Sequence, residues 1–510
     1  MLAKVSSAAV VGIHGQHIVV EADIALGLPC FSVVGLPDTA VREAGDRVRA
    51  AIKNSGFEFP IKRITINLAP ADTKKEGSGF DLAVAVGILA ASGQITDTNL
   101  EDLGVIGELS LDGSVRPVHG MLSMVSVLRE KGVGRIIVPP ENKAEAALLP
   151  AAQVYAVENL QTLVEYLNGE RTLEPVASSV AQFFTQPEPP GEDFCDVKGQ
   201  AYGKRAIEIA AAGGHNIVMI GPPGSGKTML ARRIPSILPP LSFPEALEVT
   251  KIYSVAGLLP DKRSLITTRP FRSPHHTISN VALIGGGRIP HPGEVSLAHN
   301  GILFLDELPE FQRNVLEVLR QPLEDGTVTI ARALASLDYP ADFMLVAALN
   351  PCPCGFFGDP ERECSCTAPQ IQRYLNKISG PLLDRIDIHV EVPRTNIKDL
   401  EIDTPAEGSA LIRERVKKAR EIQQQRFGGE GIFCNAQMQS RQLRTHCKID
   451  KQAKQLLRDA FERLGLSARA HDRILKVART IADLAGAEAV QSGHVAEAIQ
   501  YRTLDRKLWA

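Results

Sequence analysis

Apolar residues in the first third of the chain form two kinds of segment that alternate with each other. Val10–Val20 and Ile61–Leu68 have the pattern of strands, whereas Thr39–Ser55 and Asp81–Ser92 have the pattern of helices. Alternation of strands and helices is typical of mixed architecture. We therefore predict an α/β domain over residues 1–175.

Three apolar runs in the middle of the chain lack alternating polar positions. They are Asn216–Ile220, Ile302–Leu305 and Phe343–Ala348. Strands that are apolar on both sides are typical of a parallel sheet whose two faces are both buried. From Phe194 onward we therefore predict a second α/β domain, built around a parallel sheet.

The chain beyond about Thr395 has the pattern of helices. One predicted helix carries an apolar stripe made of Ile474, Ala478, Ile481 and Ala485. Ser467 is placed to cap its N-terminus and Gly486 to end it, and Ser492 is placed to cap the last helix.

The segment between the two α/β regions has a different composition. Pro187, Pro189 and Pro190 stand among polar residues there, which is typical of an exposed and semi-rigid linker. The predicted organisation is an N-terminal domain at 1–175, a linker at 176–192, a core at 193–395 and a helical domain at 396–510.

Composition and charge narrow the class of protein only in part. Of the 510 residues, 44% are hydrophobic and 23% charged, as in ordinary soluble proteins, and the net charge of −3 gives no overall sign of nucleic-acid binding. The longest apolar run, Leu82–Ala91, is far shorter than the ~20 residues of a membrane-spanning helix. The N-terminus also lacks the features of a signal peptide. We expect a cytoplasmic protein with no membrane partner.

The run Asn216–Ile220 leads directly into a glycine-rich motif. The motif reads Gly221-Pro222-Pro223-Gly224-Ser225-Gly226-Lys227-Thr228, and the helix-like segment Met229–Ile234 follows it. This is P-loop spacing in a strand–loop–helix context, where backbone N–H groups and a helix N-terminus bind phosphates. We predict that Lys227 binds the β- and γ-phosphates of ATP and that Thr228 binds Mg²⁺.

Two adjacent carboxylates follow the second apolar run. Asp306 and Glu307 end the segment Ile302–Glu307. We predict that Asp306 holds Mg²⁺ through its hydration shell and that Glu307 orients and deprotonates the attacking water. The alternative is that the pair only caps a helix, but the P-loop upstream favours the catalytic interpretation.

Asn350 ends the third apolar run and precedes Pro351. An amide at that point would lie between the ends of the other two strands, where it can position water against the γ-phosphate. On its own, the Asn-Pro pair would indicate only a turn.

Half of the eight cysteines are clustered in one short segment. They are Cys352, Cys354, Cys364 and Cys366. Two close pairs of thiols on a loop can bind one tetrahedral Zn²⁺, although the C-x-C spacing is tighter than the usual C-x₂-C. The alternative is four reduced thiols on a loop, which would be exposed to oxidation. We predict zinc.

Longer runs around these motifs resemble a known family. They are Gly285–Gly287, Pro292–Gly301, Asn350–Gly355 and Ser379–Asp387. They are similar to the magnesium-chelatase-like AAA+ ATPases and more closely to the ComM/YifB competence family, over essentially the whole chain. The resemblance implies an AAA+ P-loop αβα core with a C-terminal helical lid. It also implies a homohexameric DNA helicase that drives branch migration in natural transformation and recombination.

The resemblance also assigns roles to arginines. Arg385 matches the arginine finger that acts on the nucleotide of the neighbouring subunit, and its alternative is a salt bridge with Asp384 or Asp387. Arg469 resembles the second sensor arginine on the lid helix. Arg473, one turn later, competes with it, and periodicity does not choose between them.

Residues 1–175 resemble the Lon-protease-like domain found in this family. The matching stretches are Ala69–Gly77, Gly107–Val118 and Val138–Asn142. Aligning them puts Gly79 where the nucleophilic serine belongs and places the lysine of the Ser–Lys dyad near Leu122. Ser78 is one residue away, and no lysine lies between Lys75 and Lys131. We predict a non-proteolytic scaffold, with a DNA-contacting collar as its candidate role.

Three functions remain compatible with an ATPase of this type. The first is a DNA motor acting on single-stranded and branched DNA. The second is the motor subunit of a chelatase, which the N-terminal domain argues against. The third is an ATP-dependent protease, which the missing dyad argues against.

Direct sequence support for DNA contact comes from a predicted β-hairpin before the third apolar run. It spans Thr327–Tyr339, and Arg332 near its tip is a candidate phosphate contact, with a solvated arginine as the alternative. Further candidates precede Asp306: Lys251, Arg263, Arg269 and Arg272. Phosphate contacts would give binding that is independent of sequence and sensitive to salt.

Overall fold

The computed structural model divides the chain into two compact units. Met1–Gln186 with Phe243–Thr267 forms the first, and Pro187–Ser242 with Thr268–Ala510 forms the second. The described residues are 1–71, 75, 77–96, 100–149, 153–177, 191–260, 264–287, 290–331, 336–395, 406–464 and 467–504. Positions 178–190 of the predicted linker lie outside them.

The first unit is built on a seven-stranded mixed sheet. Its strands in chain order are β1 (Leu2–Val11), β2 (His14–Ala25), β3 (Cys30–Val34), β4 (Arg63–Ala69), β5 (Leu103–Val105), β6 (Glu108–Leu109), β7 (Val115–Arg116), β8 (Arg135–Val138) and β9 (Gln153–Ala156). The sheet order is β3-β4-β2-β1-β5-β8-β9, and β6 pairs with β7 separately. The helices are Thr39–Asn54, Asp81–Ala91, Met121–Glu130, Lys143–Ala146, Leu160–Leu167 and Phe243–Val255.

The predicted single strand Val10–Val20 is wrong. The structure has two antiparallel strands there, because β1 ends at Val11 and β2 begins at His14. Gly12 between them has φ 65°, a left-handed conformation that glycine adopts without steric cost. The chain therefore reverses at a turn that the apolar pattern alone did not reveal.

The second unit is built on the predicted parallel sheet. Its further strands are β10 (Ile217–Ile220), β11 (Phe271–Arg272), β12 (Gly285–Gly286), β13 (His291–Pro292), β14 (Ile302–Leu305), β15 (Thr327–Ala331), β16 (Ser336–Pro340), β17 (Met344–Leu349) and β18 (Ile388–Glu391). The five-stranded order is β11-β14-β17-β10-β18, and all of these pairs are parallel. β10, β14 and β17 are fully buried, as their uninterrupted apolar sequences predict.

Helices cover this sheet. They are Ala201–Gly213, Lys227–Ile237, Asn280–Ile284, Glu294–Leu297, Arg313–Glu317, Arg320–Asp325, Ala368–Leu375, Gly380–Leu383, Ser409–Arg426, Ser440–His446, Lys451–Leu464, Ala468–Leu484 and Ser492–Gln500. The Ser467 side chain caps Ala468–Leu484 by accepting the N–H of Ala470 at 3.2 Å, as predicted. The last helix is capped by Gln491, one residue before the predicted Ser492.

The C-terminal helices share one hydrophobic core with a face of the sheet. Ile412, Val416 and Ala478 belong to the same buried cluster as Ile217 and Val346. The predicted boundary between 193–395 and 396–510 therefore does not separate two compact bodies.

The helix Phe243–Val255 belongs to the first unit, although the sequence places it within 193–395. Ser254 donates a hydrogen bond to the buried carboxylate of Glu145, and the N–H of Gly120 donates to the carbonyl of Ser254 at 3.2 Å. The chain thus leaves the second unit at Ser242 and returns to it at Thr268.

Candidate nucleotide site

The glycine-rich motif connects the carboxyl end of β10 to the helix Lys227–Ile237. Gly224 and Gly226 have φ of 77° and 89°, so the loop needs residues without a Cβ at these two positions. The N–H groups of the first helical turn point into the loop, where an anion would be stabilised. β10 lies beside β17 and β18, where the strand order reverses. That point is the usual ligand site of an open parallel sheet.

Lys227 lies at the centre of this loop. Its ammonium donates to the carbonyl oxygens of Gly221 at 2.7 Å and Pro222 at 2.9 Å, and to Oδ1 of Asn350 at 3.2 Å. Burial lowers the pKa of Lys227 to about 8, although Asp306 and Glu307 act in the opposite direction. The structure thus brings Asn350 to the P-loop lysine.

Thr228 and Asp306 meet across the strand ends. The Thr228 hydroxyl donates to Oδ2 of Asp306 at 2.7 Å, and the N–H of Glu307 donates to Oδ1 at 3.0 Å. A hydroxyl and a carboxylate at this separation offer oxygen ligands of the kind that Mg²⁺ prefers. Their metal-binding role stays a prediction, and the residues present fit it.

Glu307 follows Asp306 with φ 53°, which is rare for a residue with a side chain. Its carboxylate is half-exposed, and Oε2 lies 3.8 Å from Nδ1 of His276. The sequence did not single out His276, because it lies far from Glu307 along the chain. The carboxylate is therefore accessible beside Asp306, and its role as the base that acts on water stays a prediction.

Gln200 is a second residue that sequence reasoning missed. Its amide nitrogen donates to the carbonyl of Ser225 at 3.2 Å and to that of Pro393 at 2.5 Å. It thereby ties the P-loop to the segment that follows β18. The positive φ of 56° at Gln200 is not visible in the sequence.

Arg385 does not pair with Asp384 or Asp387, the partners weighed from sequence. It forms a salt bridge with Glu324 and donates to the carbonyl of Pro381 at 2.6 Å. Its own carbonyl accepts from Nδ2 of Asn216 at 3.0 Å. Because Asn216 and Arg385 both precede their strands, Arg385 lies at the amino ends of β10 and β18. The P-loop lies at the opposite, carboxyl edge of the sheet.

The two candidate sensor arginines differ in their surroundings. Arg473 forms a salt bridge with Asp387, whereas Arg469 is exposed to solvent. Burial raises the pKa of Asp387, but Arg473 and His215 more than offset it and hold that pKa well below its usual range. Arg473 is therefore engaged in docking its helix onto the core, and Arg469 is the more available of the two.

The four clustered cysteines lie together. Their Sγ atoms are all within 4.8 Å of one another, and Cys352 to Cys354 is 3.3 Å, far longer than the ~2.05 Å of a disulfide. The separation from Cys364 to Cys352 and to Cys354 is 3.6 Å. A tetrahedral Zn²⁺ with Zn–S bonds of about 2.3 Å requires about 3.8 Å between sulfurs, so the arrangement fits such an ion.

Backbone groups stabilise negative charge on these sulfurs. The N–H of Gly355 donates to Sγ of Cys352 at 3.2 Å, and the N–H of Cys366 donates to Sγ of Cys364 at 3.4 Å. A hydrogen bond from the N–H of Phe356 is the main cause that lowers the pKa of Cys354 to about 5. For Cys364 the hydrogen bond from the N–H of Cys366 is outweighed by desolvation and by the neighbouring thiols, which raise the pKa of Cys364 to about 12. Thiolates are the form of cysteine that binds metals.

The residues predicted to contact DNA differ in their surroundings. The predicted hairpin is present as β15 and β16, but its tip with Arg332 lies outside the described residues, as does Arg263. Arg272 pairs with both oxygens of Glu294 at 2.7 Å, and Arg269 donates to two backbone carbonyls. These internal contacts argue against a phosphate-binding role for Arg269 and Arg272.

In the first unit, Ser78 donates to the carboxylate of Glu108, and the buried Lys75 donates to the carbonyl of Pro70. Leu122, at the position of the missing dyad lysine, is buried. Ser78 thus contacts a carboxylate, and the non-proteolytic role of the domain stays a prediction. In a separate finding, no helix among the described residues is long and apolar enough to cross a membrane.

Comparisons with known proteins cover nearly the whole chain. Family models described as "Subunit ChlI of Mg-chelatase", "Magnesium chelatase, subunit ChlI" and "Magnesium chelatase, subunit ChlI C-terminal" match residues 20–142, 193–400 and 406–502. The chain is 47% identical to "Uncharacterized protein YifB" of Salmonella typhimurium and 45% identical to "Competence protein ComM" of Haemophilus influenzae, over 99% of this chain and 98% of each relative. A "Magnesium-chelatase 67 kDa subunit" of Chlorobaculum parvum is 30% identical over 31% of this chain and 23% of its own length.

Proposed function

The chain belongs to the ComM/YifB family of magnesium-chelatase-like AAA+ proteins, and on that premise we propose that it is an ATP-driven motor that moves branched DNA. The observation that carries the proposal is the end-to-end similarity to a competence protein, because competence concerns the uptake and integration of DNA. The similarity to the chelatase subunit of Chlorobaculum parvum covers less than a third of the chain, whereas the family models named after a chelatase subunit match its domains one by one.

The family implies ATP and Mg²⁺, and this chain has the groups to bind them. Lys227 neutralises phosphate charge, Thr228 and Asp306 hold the metal, and Glu307 takes a proton from the attacking water. Asn350, which contacts Lys227, is placed to report on the γ-phosphate. These roles are supported by the contact of Lys227 with Asn350 and by that of Thr228 with Asp306.

The active form is a ring, and the family resemblance points to a hexamer. Arg385 lies at the sheet edge opposite its own P-loop, so it serves the nucleotide of a neighbour. In the ring, the guanidinium of Arg385 leaves Glu324 and contacts the neighbour's nucleotide instead. Arg469, which is exposed in the first turn of the helix Ala468–Leu484, is the second sensor arginine.

The cysteine cluster holds one Zn²⁺ per chain. The sulfur separations and the N–H groups aimed at sulfur support this assignment. A closed tetrahedral set of four sulfurs leaves no position for a substrate, so the metal has a structural role there.

DNA passes along the hairpin formed by β15 and β16. Val328 and the buried Tyr339 pair at its base, and the Tyr339 hydroxyl donates to the carbonyl of Pro290 at 3.0 Å. The base of the hairpin is thus fixed, and its tip with Arg332 carries the phosphate contact. The hairpin is followed by β17, and Asn350 comes directly after the last residue of that strand, so changes at the γ-phosphate reach the hairpin through one strand.

The test is the ATPase rate of the purified protein with and without single-stranded or branched DNA. DNA should raise the rate, and the increase should shrink as salt rises, because phosphate contacts release counterions. Glu307→Gln is the control and should bind ATP without turnover. If DNA leaves the rate unchanged and a porphyrin with chelatase partner subunits raises it, the chelatase function replaces this proposal.

A further inference from the structure

The turn that carries two of the clustered cysteines packs against the P-loop. Gly355 directly follows Cys354 and has φ 86°. A Cβ built on Gly355 would lie 2.5 Å from Cδ and 2.7 Å from Cγ of Pro223. The backbone of Gly355 is therefore in direct contact with the Pro223 ring, and side-chain atoms do not fit between them.

The same turn is joined to the P-loop at a second point. Asn350 lies two residues before Cys352 and accepts a hydrogen bond from Lys227 at 3.2 Å. Cys352 is buried, and its carbonyl and its Sγ accept the N–H of Gly355 at 3.0 Å and 3.2 Å. Cys352 and Cys354 thus lie between two contacts with the P-loop, one through Asn350 and one through Gly355.

We propose that the four-cysteine site positions the P-loop for nucleotide, with Gly355 as the contact that transmits its geometry to Pro223. This inference rests on the metal and nucleotide sites proposed above and is independent of DNA. Four ligand bonds to one ion fix the backbone on both sides of the turn, and metal binding to a loop stabilises the folded conformation of that loop. The ordered turn then holds Pro223, and hence the backbone that surrounds the phosphates.

Gly358 in the same loop provides a matched control. It has φ 79°, close to that of Gly355, but a Cβ there has no atom within 4 Å. Alanine strains the backbone similarly at both positions, whereas only Gly355→Ala presses on Pro223. Comparing the two variants therefore isolates the contact from the strain.

The experiment measures the affinity for a fluorescent ATP analogue in the absence of DNA, with metal content and unfolding temperature as further readouts. Gly355→Ala should weaken binding by about tenfold or more, equivalent to ~1.4 kcal/mol, while Gly358→Ala stays within about twofold. Both variants should keep the bound metal. Equal affinities for the two variants would overturn the proposal.

A second variant keeps the test decisive if Gly355→Ala is poorly stable. Pro223→Ala removes the ring atoms that a Cβ at position 355 would meet. The double variant should bind the nucleotide more tightly than Gly355→Ala alone, because neighbouring substitutions that relieve one clash are non-additive. If the two substitutions lower the nucleotide affinity additively, Gly355 does not act through its contact with Pro223.

Removal of the metal provides an independent comparison. Cys366→Ser should lose both metal and nucleotide affinity, whereas Cys30→Ser, at an exposed free cysteine outside the cluster, should lose neither. Unchanged nucleotide affinity in metal-free protein would overturn the proposed effect of the metal site on the P-loop. A wild-type protein without metal would instead overturn the proposed zinc site, so the two failures are distinguishable.

Discussion

Lys227 is the buried cation that we propose binds the phosphates of ATP. Its ammonium is surrounded by the carbonyl oxygens of Gly221 and Pro222 and the amide oxygen of Asn350, which are neutral acceptors. Burial without a paired carboxylate lowers its pKa to about 8. Bound phosphates would restore a higher pKa, because a nearby negative charge favours the protonated amine.

The pH dependence of ATP binding follows from that shift. Below its pKa Lys227 is already protonated, whereas above about pH 8 binding must take up a proton. Affinity should therefore stay level from about pH 7.5 to 8 and fall above it, by up to tenfold per pH unit. Titration with a fluorescent ATP analogue measures this. Lys227→Arg, which stays charged, should flatten the profile.

A level profile up to about pH 9.5 in the wild-type protein would contradict the assignment, because it would mean that no proton is taken up. The matching Lys227→Arg titration separates a change in this lysine from any general loss of structure at high pH.

The residues of the nucleotide site were predictable where the chemistry lies in short motifs. Gly221–Thr228 and the pair Asp306–Glu307 can be identified because spacing alone defines their geometry. Contacts between distant segments were not predictable. The partner of Arg385 is Glu324, and His276 lies near Glu307, and neither pairing leaves a signal in a single sequence.

At the scale of elements, the uninterrupted apolar runs gave the parallel strands to within a residue or two. β14 coincides with the predicted run, and β17 is shifted by one residue. The N-terminal hairpin was missed because the apolar pattern continues through the turn at Gly12. Burial determines where strands lie, whereas a turn depends on the backbone freedom of one residue.

The loop with the four clustered cysteines is expected to bind zinc, and the zinc content of the protein tests this. Metal-washed protein should retain about one zinc per chain by elemental analysis, because four sulfurs form a closed tetrahedral set. Cys364→Ser should lose the metal, and Cys195→Ser, outside the cluster, should keep it. A zinc content near zero in correctly folded wild-type protein would contradict the prediction.

At the scale of the whole molecule, the role proposed for Arg385 requires more than one chain. The arginine lies at the amino ends of β10 and β18, while the phosphates would lie at the carboxyl ends. With that role, one chain carries the two halves of the proposed catalytic site on opposite edges of its sheet. A head-to-tail ring brings such halves together at every interface.

Mixing two inactive variants tests this arrangement. Arg385→Ala lacks the finger and Lys227→Ala lacks the phosphate lysine, but a mixed interface can combine Lys227 of one subunit with Arg385 of the next. Random mixing should restore ATPase activity at about a quarter of the interfaces. Each variant alone should be inactive, and Arg385→Ala should still bind nucleotide.

Activity of the mixture no greater than that of the separate variants would contradict a role in trans. Isolated wild-type monomers that hydrolyse ATP as fast as assembled rings would contradict it as well.

The arrangement of whole segments was less predictable than the individual strands and motifs. The helix Phe243–Val255 groups with the N-terminal unit, and the C-terminal helices group with the ATPase sheet. Both groupings depend on apolar surfaces that meet only after folding, such as that of Ile252. Sequence patterns define an apolar face but not the surface that covers it.

The most direct test of the DNA motor is the resolution of a synthetic four-way junction into duplexes, followed by gel electrophoresis. The wild-type protein should convert the junction only with hydrolysable ATP, and Glu307→Gln should bind it without conversion. Arg332→Ala should slow conversion more than basal ATPase, whereas Arg441→Ala, at an exposed arginine of a C-terminal helix, should slow neither. Robust ATP hydrolysis by wild-type rings with no conversion of the junction would contradict the account.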